Sequence, residues 1–205
     1  MNTMPQAGPA PMDEARPTAR AGIAFGEVVA AALLGFAETT FFFLVPEVLV
    51  TFIAMQGRLR AALLAAVAAM VGGVLGGWML FAWGATASPK VITAYLDVIP
   101  GVSRDMVGEA LAALRLQGAG ALFTVPLADI PDKVLAALAG QTGMQPGTFL
   151  PAFAAALLLR FAAAAVLAYA LAALLRRFFP GLRPAWLWGA VWAFVYGLWM
   201  AFLPN

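Results

Sequence analysis

The feature that most constrains this chain is an apolar stretch, residues 38–56, that contains two carboxylates and a proline near its centre. Pro46 removes a backbone donor and clashes with the preceding turn, so a single straight helix through it is disfavoured. If the chain folds back at residues 44–47, each arm is ~13 Å long and reaches roughly halfway through a ~30 Å hydrocarbon core. Irregular backbone at that depth persists only inside protein or beside water, which makes Glu47 a candidate functional residue. The pattern predicts a re-entrant helical hairpin over residues 38–57.

A single kinked span from about residue 28 to residue 57 is the alternative. It would be ~45 Å long, more than a bilayer needs, and would hold Glu38 or Glu47 well inside the hydrocarbon. Within the hairpin interpretation, an interfacial position for Glu38 is also open. The two arrangements differ in a testable way, because the hairpin predicts a cytoplasmic N-terminus and the kinked span an external one.

The composition indicates an integral membrane protein. The chain is 63% hydrophobic and 11% charged, whereas soluble domains carry about 25% charged residues. It has no cysteine and no histidine, which removes disulfides, thiol nucleophiles and the usual zinc and haem ligands. No catalytic cluster and no basic patch interleaved with aromatics is present, so we expect neither an enzyme, nor a cofactor or metal site, nor a nucleic-acid partner.

The remaining segments follow from their hydropathy and charge. We predict a disordered tail over residues 1–20 and a single transmembrane domain over residues 21–205. Within this domain we predict a first helix at 21–37, a span at 60–87, an external amphipathic segment at 88–117, a second hairpin at 118–146, and spans at 148–175 and 185–203. Ser103 is the expected N-cap of the amphipathic helix, and the tryptophans of the last span are interpreted as interface anchors. The glycine pairs at 72–73 and 76–77 are expected to offer one small face to another helix or to the re-entrant hairpin.

The opening pattern returns 85 residues later. Pro46 and Glu47 align with Pro131 and Asp132, and each pair is followed by an apolar arm that ends in glutamine and by a long apolar span. Lysine and arginine favour the cytoplasmic side of short loops, which puts the basic residues near 58 and 176 on one side and residues 88–117 outside. The two hairpins then enter from opposite faces, as inverted repeats do in transporters with alternating access. The predicted fold is an all-α integral membrane protein with two oppositely oriented re-entrant hairpins, three transmembrane helices and a surface amphipathic helix.

These residues together resemble a known family, the DedA (VTT or SNARE-associated) membrane proteins, and most closely its YqaA-like branch. The likeness covers residues 35–175 and is carried by five pieces: Glu38-Thr39-Thr40-Phe41-Phe42, Val45-Pro46-Glu47-Val48-Leu49, Gly72-Gly73-Val74-Leu75-Gly76-Gly77, Ile130-Pro131-Asp132-Lys133-Val134 with Ala139-Gly140 and Gly143-Met144, and Leu159-Arg160-Phe161. DedA proteins typically have arginine on both sides of the second proline. Here Lys133 stands for the later base, as in the YqaA-like branch, and the earlier position has none. The resemblance implies two opposed hairpins, a bacterial inner (plasma) membrane location and a role in moving a phospholipid or polyprenyl-phosphate carrier between leaflets, with proton coupling.

The residues suggest separate roles for cations, acids and hairpin corners. A phosphate headgroup in a low-dielectric cavity needs fixed positive charge, which Lys133 and Arg160 could supply. Alternatively, Arg160 pairs with Asp129, Asp132 or Glu47 only to offset its own desolvation, and both interpretations predict contact between these residues. The expected proton-coupling residues are Glu38, Glu47, Asp129 and Asp132, although Glu38 and Glu47 could instead be structural helix caps. Pro46, Pro131 and Gly140 are assigned to hairpin geometry.

Three functions therefore remain open from the sequence. The first is a translocator of a lipid or lipid phosphate, with a lateral opening to the bilayer. The second is a proton- or cation-coupled carrier of a small solute, with a closed cavity lined by acids. The third is a non-transporting membrane assembly protein whose charges are fully paired. Membrane lipids are the expected partners, the C-terminus is expected to be periplasmic or external, and a homo-oligomer is left open.

Overall fold

The computed structural model describes residues 22–41, 44–128, 130–179, 181 and 183–201, and these residues form helices and turns without any strand. The helices are α1 (Phe25–Glu38), α2 (Glu47–Met55), α3 (Leu59–Thr86), α4 (Pro89–Asp97), α5 (Arg104–Gln117), α6 (Ala121–Thr124), α7 (Asp132–Gln141), α8 (Pro146–Phe178) and α9 (Pro184–Ala201). Short 3₁₀ turns at Gly118–Gly120 and Val125–Ala128 flank α6. The predicted all-helical class is confirmed for this part of the chain. The tail at 1–20, Asp129 and the end of the predicted last span lie outside it.

Two of the described helices are long and apolar enough to cross a membrane. α3 has 28 residues and α8 has 33, with mean hydropathies of 2.0 and 2.1. Only 39% of the apolar window of α3 and 28% of that of α8 are buried inside the protein, whereas a core helix of a soluble protein is covered all round. Most of both helices therefore offers an apolar surface to its surroundings. α9 has 18 residues, and its crossing of a membrane stays a prediction.

The first hairpin folds back more widely than the sequence predicted. α1 ends at Glu38. Just after it, the hydroxyl of Thr39 donates to the carbonyl of Gly35 and the hydroxyl of Thr40 donates to the carbonyl of Phe36. Pro46 then disfavours helical geometry in the residue before it, so the next helix begins only at Glu47. The first arm is thus α1, whereas the sequence predicts a separate helix at 21–37. Glu38 ends this arm instead of beginning it.

An ion pair shows that the two arms are antiparallel. Arg58, which follows α2, has its Nη1 2.8 Å from Oε1 of Glu27 in the first turn of α1. The chain therefore returns to the end at which α1 began. This geometry rules out one continuous kinked helix over residues 28–57, because the start and the end of that segment are neighbours in space.

Glycines allow α1 and α8 to approach α3 closely on two different sides. A Cβ on Gly72 would collide with the backbone carbonyl of Ala32 in α1, and a Cβ on Gly77 would collide with the ring of Phe153 in α8. Gly73 and Gly76 behave in the same way, facing Leu157 of α8 and the end of α1 respectively. The prediction of one small face was therefore too simple. Gly72 and Gly76 allow α1 to approach α3, and Gly73 and Gly77 allow α8 to approach it from another side. Small residues bring membrane helices together in this way.

α7 packs on the other half of α3. A Cβ on Gly140 would collide with the carbonyl of Phe81, and a Cβ on Gly84 with the carbonyl of Ala137. Gly140, which the sequence assigns to hairpin geometry, lies in the last turn of α7, where it allows two backbones to touch. α8 runs antiparallel to α3, and Phe149 stacks on Phe81 with ring centroids 4.4 Å apart.

The segment at 88–117 forms two helices, α4 and α5, joined by a turn. Ser103 is the N-cap of α5, as predicted, because its hydroxyl accepts a hydrogen bond from the Met106 amide at 3.2 Å. The apolar face of α5 is buried through Ala110 and Leu114, while Arg104 and Arg115 are exposed. This face packs on the protein's own helices, so the protein itself covers much of the surface that we expected to lie on lipid.

Candidate functional site

Arg160 stands at the centre of a cluster of three carboxylates. Its Nη1 donates to Oδ2 of Asp132 at 2.7 Å and its Nη2 donates to Oε1 of Glu38 at 2.7 Å. Its Nε lies 2.8 Å from Oε1 of Glu47, an ion pair without the alignment of a hydrogen bond. All three nitrogens of the guanidinium are therefore engaged by acids from three different helices. Such charge-assisted contacts are the strong ones in proteins.

The cluster lies near the middle of α8. Arg160 comes fourteen residues after Pro146 and eighteen before Phe178, which places it about 21 Å from one end of the helix and about 27 Å from the other. A charge at this position of a spanning helix is costly unless it is paired. In the structure, Arg160 forms ion pairs with three carboxylates. Contact of Arg160 with Glu47 and Asp132, expected from the sequence, is therefore confirmed, and Glu38 joins them.

Two of the three acids, Glu47 and Asp132, are the corner residues of the repeat predicted from the sequence. Pro46 and Pro131 each occupy the N-cap position of a short helix, and Glu47 and Asp132 are the first residues of those helices. A proline just before a helix costs no hydrogen bond, because the first amides of a helix have no intrahelical partner. Both corners therefore place a carboxylate at a helix start, where the helix dipole favours negative charge.

The two short helices leave the cluster towards opposite ends of the molecule. The end of α2 is held by Arg176, whose Nη1 donates to the carbonyl of Met55 at 3.1 Å, close to the beginning of α3. The end of α7 packs on Phe81 and Ala85, near the last residue of α3. Basic residues near 58 and near 176 thus share one end of the bundle, as the charge distribution predicted.

The cluster holds more negative than positive charge among the described residues. Lys133 is buried beside it and interacts electrostatically with Glu38 and Asp132. Three carboxylates against Arg160 and Lys133 leave a net charge of −1 when all are ionised. In a low-dielectric interior an uncompensated charge is expensive. One proton on the carboxylates would make the cluster neutral.

Two carboxylate oxygens are placed to take that proton. Oε2 of Glu38 and Oε2 of Glu47 are buried and have no hydrogen-bond partner in the described part of the chain. A buried acceptor without a partner is rare and costly in a folded protein. Protonation at either oxygen removes the charge that burial penalises. Asp129, the remaining predicted proton-coupling residue, lies outside the described residues.

No protein-family model matches the chain, and the comparisons with curated proteins and with solved structures found no match. The resemblance to the DedA family therefore stays a prediction that depends on the motifs alone. The central cation of the cluster is a guanidinium, and within the described residues no group of acids is arranged to hold a metal ion.

Two tyrosines that the sequence analysis did not single out bind backbone groups on either side of the first corner. Tyr95 of α4 donates to the carbonyl of Thr40 at 3.0 Å, and the amide of Val45 donates to the hydroxyl of Tyr196 of α9 at 3.2 Å. A broken helix leaves backbone groups without partners, and in an apolar environment each of these must be satisfied by protein. The tyrosines do this from opposite sides of the break. Periodicity gives no sign of such long-range contacts.

An apolar cavity of about 250 Å³ lies one helical turn from the cluster, between α2, α8 and α9. It is lined by Thr51, Met55, Ala164, Leu167, Ala168, Leu171, Leu187, Trp188, Val191 and Trp192. The indole nitrogens of Trp188 and Trp192 both donate to the hydroxyl of Thr51, each at 3.1 Å. These two tryptophans therefore link α9 to α2, and the interface anchoring expected from the sequence stays a prediction.

Proposed function

We propose that this chain is an integral membrane transporter of the DedA type, which moves a lipid or lipid phosphate between leaflets with proton coupling. The observation that carries the proposal is the convergence of both corner acids on Arg160 in the middle of α8. Two short helices that start at one central charge and run to opposite ends are typical of transporters built from inverted repeats with broken helices. In this proposal α1–α2 and the segment that ends in α7 are re-entrant hairpins, and the end that carries Arg58 and Arg176 is cytoplasmic.

The charge balance suggests how a proton and a phosphate group could be coupled. With all carboxylates ionised, Asp132 and Glu38 occupy two donor nitrogens of Arg160, and Glu47 lies against the third. Protonation of Glu38 or Glu47 weakens its contact with the guanidinium and frees a donor for a phosphate oxygen. Proton binding and phosphate binding then favour each other, as linkage requires. Lys133 would add a second positive charge to the same site.

A proton- or cation-coupled carrier of a small solute is the second candidate. The excess of carboxylates over cations favours it, because an acid-rich site attracts cations and repels anions. The two candidates differ in what enters the site once one proton has bound. For a phosphate group to bind, Arg160 must exchange at least one of its carboxylate contacts for a phosphate oxygen. For a small cation to bind, the carboxylates need only coordinate it, and Arg160 can keep its contacts.

The deciding experiment is translocation of labelled phospholipid and polyprenyl phosphate in reconstituted vesicles. Wild type is compared with Glu47→Gln, Lys133→Ala and Arg160→Ala, and with Arg160→Lys, which keeps the charge but loses the planar fork. We expect translocation by the wild type above that of empty vesicles, and loss of it in Arg160→Ala and Lys133→Ala. Lipid movement at the same rate in all variants would contradict the proposed site. Absence of lipid movement together with proton-driven cation uptake would select the second candidate.

A further inference from the structure

The apolar cavity beside the cluster opens towards the outside of the bundle. Leu167 and Leu171 line it and are 69% and 44% exposed. Both belong to α8, one of the two helices able to cross a membrane. A cavity lined by such apolar side chains offers few hydrogen-bonding groups to water, so it stays dry or takes up an apolar molecule. Lipid hydrocarbon is the apolar material that surrounds a spanning helix.

Positive charge lies at one end of this cavity. Met55 lines the cavity, and its carbonyl accepts the 3.1 Å hydrogen bond from the guanidinium of Arg176. Arg183 comes one helical turn before Leu187, another lining residue, and both arginines are exposed. The other end, at Thr51 and Ala164, lies one turn from Glu47 and Arg160. Cations at a helix end beside an apolar pocket match a lipid with an anionic headgroup.

We propose that the cavity between α2, α8 and α9 binds one hydrocarbon chain of an anionic phospholipid whose headgroup lies at Arg176 and Arg183. The hydrocarbon chain displaces no ordered water, because the lining side chains are apolar except for the hydroxyl of Thr51 and the indole N–H groups of Trp188 and Trp192, which hydrogen-bond to that hydroxyl. The anionic headgroup is attracted by the positive charges of the two arginines. This site is separate from the Arg160 cluster and does not require that the protein transport anything.

The test uses the full chain in vesicles that contain a phospholipid with a photoreactive diazirine on its acyl chain. Phosphatidylglycerol provides the anionic headgroup and phosphatidylcholine the neutral one, and adducts are located by mass spectrometry. We expect adducts on peptides that contain Met55, Leu171 and Leu187, with phosphatidylglycerol preferred over phosphatidylcholine. Arg176→Gln should lower this labelling by phosphatidylglycerol roughly fivefold. Arg177→Gln is the matched control, because the Arg177 guanidinium lies over the ring of Phe178 and not at the cavity, and it should leave labelling unchanged.

A cavity-filling variant tests the chain-binding half of the proposal. Ala168→Phe occupies the cavity and should remove the adducts, whereas Ala163→Phe, at an exposed position of the same helix that does not line the cavity, should not. Ala164→Leu is a smaller filling variant for use if Ala168→Phe does not give a monodisperse protein on gel filtration. Adducts spread evenly along α8, or equal labelling by both lipids in the wild type, would overturn the proposal. Loss of lipid translocation with intact labelling would reject only the transport function.

Discussion

Nη2 of Arg160 donates a 2.7 Å hydrogen bond to Oε1 of Glu38, a residue 122 positions earlier in the chain. The same guanidinium reaches Asp132, at the start of α7, through Nη1. One side chain on α8 therefore links the end of the first hairpin arm to the corner of the second repeat. Relative movement of the two corners requires at least one of these contacts to break or to be transferred to another group.

Loss of the central cation should destabilise the fold. Arg160→Gln removes the cation shared by the buried Glu38 and Asp132 and the partly buried Glu47, and loss of one partner of a buried ion pair typically costs about 3–5 kcal/mol. Thermal unfolding in detergent should show the loss at neutral pH and a partial recovery in acid, because protons then neutralise the clustered carboxylates. Arg177→Gln, further along the same helix, should shift stability by no more than about 0.5 kcal/mol. Equal midpoints for wild type and Arg160→Gln would show that the cluster does not hold the corners together.

Neutralising one acid should keep the fold but remove the proton dependence. Glu38→Gln or Glu47→Gln brings the described cluster from a net charge of −1 to neutrality, since two carboxylates then face Arg160 and Lys133. We expect unfolding midpoints at or above that of the wild type, and transport in vesicles that no longer varies with pH. Glu109→Gln changes an exposed acid of α5 and is the control. A pH profile identical to that of the wild type in both cluster variants would remove these glutamates from proton coupling.

Close packing of α1 on α3 should depend on Gly72. A methyl group there meets the backbone carbonyl of Ala32, which cannot move without shifting α1. Gly72→Ala should therefore destabilise the protein by about 1–3 kcal/mol, measured by chemical or thermal unfolding in detergent. Gly197→Ala makes the same substitution in α9, where nothing lies within 4 Å, and should be neutral or slightly stabilising because alanine favours helix. The reverse order of the two variants would contradict the packing described.

The opposed hairpins can be tested by labelling, since the chain has no cysteine of its own. Gln56 follows α2 and Gln141 ends α7, so these two repeat-related residues lie at opposite ends of the bundle. Single variants Gln56→Cys and Gln141→Cys should react with a membrane-impermeant maleimide from opposite sides of the membrane. We expect Gln56→Cys to react from the cytoplasmic side. Reaction of both from the same side would refute the opposed re-entrant arrangement.

Sequence reasoning located much of the site because the cost of burying charge is visible in the sequence itself. Glu47, Asp132 and Arg160 are charges inside apolar segments, and the structure brings both acids into contact with Arg160. The same reasoning placed Glu38 at the start of an arm, whereas it ends one. Helix boundaries depend on local competition, here between the threonine hydroxyls after Glu38 and the helix that precedes them.

By itself the sequence determined the helical class, the two long apolar helices and the repeated corner of a proline followed by an acid. These follow from periodicity, hydropathy and the geometry of proline, all of which act over a few neighbouring residues. Only the tertiary structure decided that Arg160 contacts all three acids and that Tyr95 and Tyr196 hydrogen-bond to the backbone on either side of the first corner. The packing of α3 on α1 and α8 through four of its glycines was likewise decided there. Contacts of this kind join residues far apart in the chain, and their partners are fixed by how the helices pack.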